Sequence, residues 1–266
     1  MTFVEKIVCY TLDLEEDHAG YLKNKYEGLN YLEEFLDIIN KKNIFVSFFV
    51  QAKLFEMYPE KIELIKEYGH DIHLHSYNHE IQKFNTCYNE KYHEILKSKQ
   101  IFSNFFNKNP IGYRFPLGII QKSDYKLLDE LDFEFDSSIF PNFRIGYFNN
   151  LNKPITPYFC NRILEIPFSP ISNHIRIPVS LSYIKLFYPL HFLLNYKISP
   201  LIFNIHLHDL FRLSSTQRLS FFKRLPYLKS SENGLAIFLK FVDKLSKLGY
   251  NSKRIIEIYE EAKKKH

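Results

Sequence analysis

Asp13 and Glu15 lie two residues apart where an apolar run ends in acid, and His75 and His79 lie four apart in His75-Ser76-Tyr77-Asn78-His79. Residues two apart on an extended strand point to one face, so the two carboxylates can share a site. Two imidazoles four apart meet on one face of a helical turn and can chelate. Two histidines and a carboxylate make an open metal site, which keeps a coordination position for water or substrate. Such a set takes a divalent metal ion, zinc first, with cobalt, nickel or iron also accepted. Taken alone, an HxxxH is more often a chance surface pair, so the setting must carry the inference.

The elements that position these residues are legible as alternation. Ile7-Val8-Cys9-Tyr10-Thr11-Leu12 has the make-up of a buried strand and runs straight into Asp13-Leu14-Glu15-Glu16-Asp17. Apolar residues at helical spacing over residues 29–42 predict a helix, and residues 45–50 a strand. Pro59 opens a second helix that Gly69 ends before a short strand over 71–75. Helices are also predicted over 90–106, 123–131, 235–248 and 253–264, with extended segments over 112–115, 133–137, 163–168 and 201–206. Eight prolines between Phe140 and Pro200 forbid long helices there, so irregular excursions and one short helix over 183–194 are expected. Strands alternating with helices imply a mostly parallel sheet, open or closed into a barrel, with chemistry at the carboxyl ends of its strands.

Gly69-His70-Asp71-Ile72-His73-Leu74-His75-Ser76-Tyr77-Asn78-His79 resembles the second motif of the polysaccharide deacetylases, the NodB-like group of carbohydrate esterase family 4. Other motifs follow in that family's order across nearly the whole chain. Thr11-Leu12-Asp13-Leu14-Glu15 is similar to the first, Tyr113-Arg114-Phe115-Pro116 to the third, and Phe135-Asp136-Ser137-Ser138-Ile139-Phe140-Pro141 with Ile163-Leu164-Glu165-Ile166-Pro167 to the next. Pro200-Leu201-Ile202-Phe203-Asn204-Ile205-His206 is similar to the fifth. Each motif alone is weak; five in order are specific.

The resemblance implies one catalytic domain over residues 1–266, folded as an α/β, TIM-barrel-like, distorted (β/α) barrel of about seven strands. It implies that His75, His79 and Glu15 ligate the metal, that Asp13 is the general base held by Arg114, and that His206 is the general acid. Glu16 is the main rival of Glu15, which strand parity favours. His208 also competes in the fifth motif, where register favours His206, with His208 and Asp209 orienting it. Asp209 and Asp136 are the candidate carboxylates to keep His206 protonated. His18, His73, His93, His174 and His191 are read as structural.

The function implied is removal of an N-acetyl group from an amino sugar in a polysaccharide, oligosaccharide or glycan precursor. Hydrolysis of another non-peptide C–N bond is the alternative, and a non-catalytic carbohydrate-binding relative the second. With 45% hydrophobic and 24% charged residues, the chain can bury a core. Its +5 formal charge sits largely in a terminal helix with no aromatic-basic interleaving, which argues against nucleic acid. The most apolar stretch, residues 179–203, is broken by Lys185, Pro189, His191, Asn195, Lys197 and Pro200 and is not read as a membrane span. Three scattered cysteines and the absence of a leader pattern at the N-terminus lead to the expectation of a cytoplasmic protein. The sequence leaves the oligomeric state open.

Overall fold

The computed structural model describes residues 5–18, 21–79, 86–221, 224 and 234–265. Its strands are β1 (Ile7–Leu14), β2 (Val46–Val50), β3 (Asp71–Leu74), β4 (Gly112–Tyr113), β5 (Phe135–Asp136), β6 (Phe143–Arg144), β7 (Phe148–Asn149), β8 (Tyr158–Cys160), β9 (Ile163–Glu165), β10 (Leu201–Ile205) and β11 (Asn251–Ser252). They pair in the order β10-β1-β2-β3-β4-β5-β9-β8, with β11 also on β1. The path from β10 to β9 is seven parallel strands, and β8 joins β9 antiparallel at the edge. The sheet curls into a half-barrel, the distorted (β/α) barrel the motifs imply.

All eight residues of β1 are buried, which is why this strand reads as a nearly continuous apolar run. The helix Leu32–Lys41 buries Leu32, Phe35, Leu36 and Ile39, one stripe at helical spacing. Each such side chain contributes about 1.5–3 kcal/mol on full burial. Pro59 begins the helix Pro59–Glu67, and Gly69 follows at φ 80°, a left-handed position that ends a helix cheaply only with glycine.

The expected helical turn over residues 75–79 does not form. Ser76 and His79 adopt φ of 60° and 65°, which a right-handed turn excludes. The loop takes its hydrogen bonds elsewhere: the Tyr77 and Asn78 amides donate to the Glu94 carboxylate on the helix Tyr88–Phe106, and the His79 amide donates to Ser76 Oγ at 3.1 Å.

The Pro-rich stretch holds more regular structure than expected. The antiparallel β6–β7 hairpin and β8 lie in it, each strand too short for its periodicity to show. The short helix comes in two pieces, an α-helix over Leu181–Leu186 and a 3-10 turn over Leu190–Leu193, with Pro189 between. The two ends of the sheet, β10 and β8, are not paired with each other among the described residues. Residues 169–180 fill that seam. Ser169 N–H donates to Ile202 O at 3.2 Å, Ile202 N–H donates to Ser169 Oγ at 2.8 Å, and Ser180 bridges to Asn204.

Candidate functional site

Seven neighbouring parallel strands deliver their carboxyl ends to one rim of the half-barrel, where functional side chains of such folds gather. Asp13 is the penultimate residue of β1 with Glu15 just beyond the strand, His75 follows β3, Arg114 follows β4, Ser137 follows β5 and His206 follows β10. Asp13, Glu15, His75, His79, Arg114 and His206 line one cavity of about 210 Å³.

Glu15 and the two histidines converge. His75 Nε2 lies 3.1 Å from Glu15 Oε2, which also contacts His79 Nε2, and one ligand atom from each residue lies within 4.8 Å of the others. The far side of the His75 ring is fixed, because Nδ1 is 3.0 Å from the Arg114 carbonyl and must donate to it. That tautomer turns the Nε2 lone pair toward a carboxylate, two acceptors face to face unless a cation or a proton lies between them. The donor set therefore fits a divalent ion, with Glu15, His75 and His79 to hold it. Burial works against ionisation of Glu15, but His79 and His75 outweigh it and hold the carboxyl well below its ordinary range.

Glu16 faces a different set of partners. Its Oε1 accepts from Lys53 Nζ at 2.7 Å, from the Asn24 amide at 3.0 Å and from Tyr26 Oη at 3.3 Å. Strand parity, which favoured Glu15 for the cavity, describes the geometry.

Asp13 sits against a buried guanidinium. Arg114 is 1% exposed, and its Nη1 donates to Asp13 Oδ1 at 2.6 Å while Asn204 Nδ2 donates to Oδ2 at 3.1 Å. Arg114 is itself held on every side: Nε donates to Ser137 O at 2.7 Å, Nη2 to Ser137 Oγ at 2.9 Å and Nη1 to Thr11 Oγ1 at 3.0 Å. Its plane lies between Phe49 and Phe168, with Cζ 3.7 and 4.4 Å from the ring centres. Burial would raise the Asp13 pKa, yet Arg114, His75 and His206 together hold it below the ordinary carboxylate value.

His206 completes the rim. Its Nε2 is 3.6 Å from both Asp13 Oδ2 and Glu15 Oε1, and its Nδ1 is 3.1 Å from Asp209 Oδ2. Burial favours the neutral ring, but the Asp209 hydrogen bond and the surrounding carboxylates outweigh it and raise His206 to about 9. Asp209 is steadied in turn by Ser182 Oγ at 2.8 Å, and Lys185 Nζ donates to its backbone carbonyl at 2.8 Å. His208 stacks on His206 with ring centres 4.8 Å apart, and burial, then the His206 charge, keeps it neutral.

Asp136, the other expected partner of His206, is placed elsewhere. It is fully buried, does not line the cavity, and accepts from the Ser138 amide at 3.0 Å and Ser138 Oγ at 2.8 Å. Burial and then the neighbouring Glu165 push its carboxyl well above the ordinary range. Glu165 accepts from Tyr125 Oη and the Ile139 amide, both at 2.9 Å. This pair braces the loop after β5, and through Ser137 the arginine. The expectation that Asp136 keeps His206 protonated is thus corrected, because β5 aims its side chain behind the cavity floor.

Several contributing residues were not singled out from the sequence. Asn204 carried a signal: a lone amide in an apolar strand, two before His206 and so on the same face. Ser137, Ser182, Asn142, Arg144 and Phe168 gave none, because their positions depend on irregular backbone.

A model of the polysaccharide deacetylase family matches residues 19–135. No curated protein matches the chain. Among solved structures, it is similar to a Mycobacterium smegmatis protein assigned to the polysaccharide deacetylases, at 16% identity and TM-score 0.69, covering 100% of this chain and 93% of that one. It is similar to Puue allantoinase, at 14% identity and TM-score 0.60, covering 96% and 89%. A third is a carbohydrate esterase family 4 pseudoenzyme from Bacillus anthracis, at 16% identity and TM-score 0.58, covering 96% and 66%. The matched segment contains the second and third motifs, and the fold shared with these structures spans the rest, so residues 19–135 carry the match to the polysaccharide deacetylases, the NodB-like, carbohydrate esterase family 4 group.

Proposed function

We propose that this chain is a metal-dependent amide hydrolase that removes an N-acetyl group from an amino sugar of a glycan or glycan precursor, acting as one domain in the cytoplasm. The observation that carries the reading is the meeting, in one cavity, of a two-histidine and carboxylate donor set with a carboxylate and an imidazole held in opposite protonation states. Among the described residues, no helix is long and apolar enough to cross a membrane.

A divalent ion held by Glu15, His75 and His79 would supply Lewis acidity toward the acyl oxygen and toward water. Asp13, kept ionised by Arg114, accepts the proton of the attacking water as the water oxygen bonds to the acyl carbon. His206, kept protonated by Asp209, donates its Nε2 proton to the nitrogen as the C–N bond breaks. Acetate and a free amine leave. The 3.6 Å between His206 Nε2 and Asp13 Oδ2 lets the proton return to the imidazole for the next turnover. Arg114 and Asn204 occupy the two oxygens of Asp13 from below and fix its orientation.

The test is acetate release from N-acetylglucosamine oligomers together with metal analysis of the purified protein. Metal and release together support the reading. Neither one would favour a non-catalytic carbohydrate-binding protein, which the intact set of motif residues argues against.

A second reading, hydrolysis of another C–N bond in a small molecule, draws on the cavity volume. At about 210 Å³ it lies below the roughly 300–1,000 Å³ of common ligand sites. Profiling with formate and ureide detection beside acetate separates the two.

A further inference from the structure

Two polar side chains in the cavity take no part in the chemistry above. Arg144, the last residue of β6, lines it half-buried, with its guanidinium carbon 4.2 Å from the centre of the Tyr147 ring. Among the described residues no carboxylate pairs with it. Asn142, two residues earlier, lines the same cavity at 8% exposure, and its side-chain Oδ1 has no hydrogen-bond partner. Its backbone is fixed, since its amide donates to Phe140 O at 2.8 Å and its carbonyl accepts from the Asn150 amide at 2.9 Å. A buried amide oxygen left unmatched costs free energy that a ligand donor would recover.

The other charges of the cavity are already balanced: Arg114 by Asp13, the two histidines by Glu15, His206 by Asp209. Arg144 is the unmatched one. Beside it runs an aromatic wall, with Phe140 stacked on Phe168 at 3.9 Å and parallel to Phe148 at 6.5 Å, of the kind against which the apolar face of a sugar ring lies. The small volume suits one sugar residue with its acyl group.

We propose that the β6–β7 hairpin forms a recognition subsite in which Arg144 binds an anionic oxygen group on the acylated amino sugar, while Asn142 accepts a hydrogen bond from a hydroxyl or N–H of the same sugar. The proposal rests on the amide-hydrolase reading of the cavity and narrows its substrate to anionic amino sugars. A phosphate ester and a uronate carboxylate both present the paired oxygens that a guanidinium fork accepts. With the other charges of the cavity paired, Arg144 is the group left to bind the anion, so the sugar enters with its amide toward Asp13 and Glu15 and its charge toward the hairpin.

The experiment offers N-acetylglucosamine 1-phosphate, N-acetylglucosaminuronic acid and the neutral methyl N-acetylglucosaminide to metal-loaded wild type, Arg144→Ala and Arg144→Lys. Acetate release gives kcat/KM, and thermal melts confirm folding. Wild type should prefer one anionic sugar over the neutral one by about 10–100-fold, the worth of a charge-assisted hydrogen bond. Arg144→Ala should bring that ratio close to one, and Arg144→Lys should recover part of it. The anion whose rate falls identifies the phosphate or the carboxylate. No preference in wild type, or equal losses on neutral and anionic sugars, overturns the subsite. If no sugar releases acetate, calorimetric titration of the two anionic sugars decides. Weaker binding to Arg144→Ala keeps the subsite while removing the hydrolytic reading, and equal or absent binding overturns the subsite.

Discussion

The rim formed by β1, β3, β4 and β10 and the wall formed by residues 140–183 face the same cavity but are built differently. On the rim, each functional side chain stands at the end of a buried parallel strand and is gripped by a second residue: Asp13 by the Arg114 side chain, His206 by that of Asp209, His75 by the Arg114 backbone carbonyl. On the wall, Arg144 ends a two-residue strand that Asn142 immediately precedes, and their side chains have an aromatic neighbour or an unmatched atom in place of a polar grip. Fixed groups suit bond making, which tolerates little misplacement, whereas loosely matched groups suit recognition.

The largest expected effect lies at the donor set. Chelation, or His75→Ala, should remove bound metal from about one equivalent to none by elemental analysis and abolish activity together. A variant that keeps full metal content would break the assignment of the rim. Next, Asp13→Asn and His206→Ala should each lower turnover by about 10²–10⁴-fold with an unchanged far-ultraviolet spectrum. Wild-type turnover in both would remove their roles.

Arg114→Ala strands a buried Asp13 without its partner, so stability should fall by about 3–5 kcal/mol in denaturant unfolding. A loss no greater than that of an exposed wall residue would erase the contrast between rim and wall.

The Asp136–Glu165 pair gives a pH signature. Burial raises Glu165 from 4.5 to about 7, against the hydrogen bonds from Asp136, the Ile139 amide and Tyr125 that lower it. A carboxyl whose folded pKa lies above its unfolded value stabilises fully below the unfolded pKa, and that stability is lost as pH rises through the folded one. The melting temperature should therefore fall between about pH 4.5 and 7, and Asp136→Asn, which removes one of the two titrating groups, should flatten the fall. Parallel profiles would remove the pair from the stability of the loop after β5. The smallest effect belongs to the wall: Phe148→Ala should raise KM by up to about tenfold, the worth of a partly buried contact, with kcat nearly constant.

The same contrast decides what was legible in the sequence. Asp13 and Glu15 stand at the end of a strand whose apolar run and parity fix where a side chain points, and His206 ends another such run, so much of the rim could be read from one dimension, whereas Arg114, after a two-residue strand, was found through the family motif. His75 and His79 were paired for the wrong local reason: the loop brings them to Glu15 through left-handed residues and Glu94, not through a helical turn. Asp136 was misplaced because β5 is two residues long and its face depends on where Glu165 packs. The wall was illegible, since prolines announce irregularity without saying which way a side chain turns.

The unpaired seam between β10 and β8 bears on how such a protein can change its diet. Pro178 and Ser180 border the cavity from the strip that fills this seam, and Phe168 borders it from the residue just before. The strip is tied to β10 by a handful of hydrogen bonds through Ser169 and Ser180, so it can be lengthened, shortened or exchanged without unpicking a central ladder. Selection, or a designer grafting segments at residues 169–180, can retune which molecules enter while leaving the rim untouched.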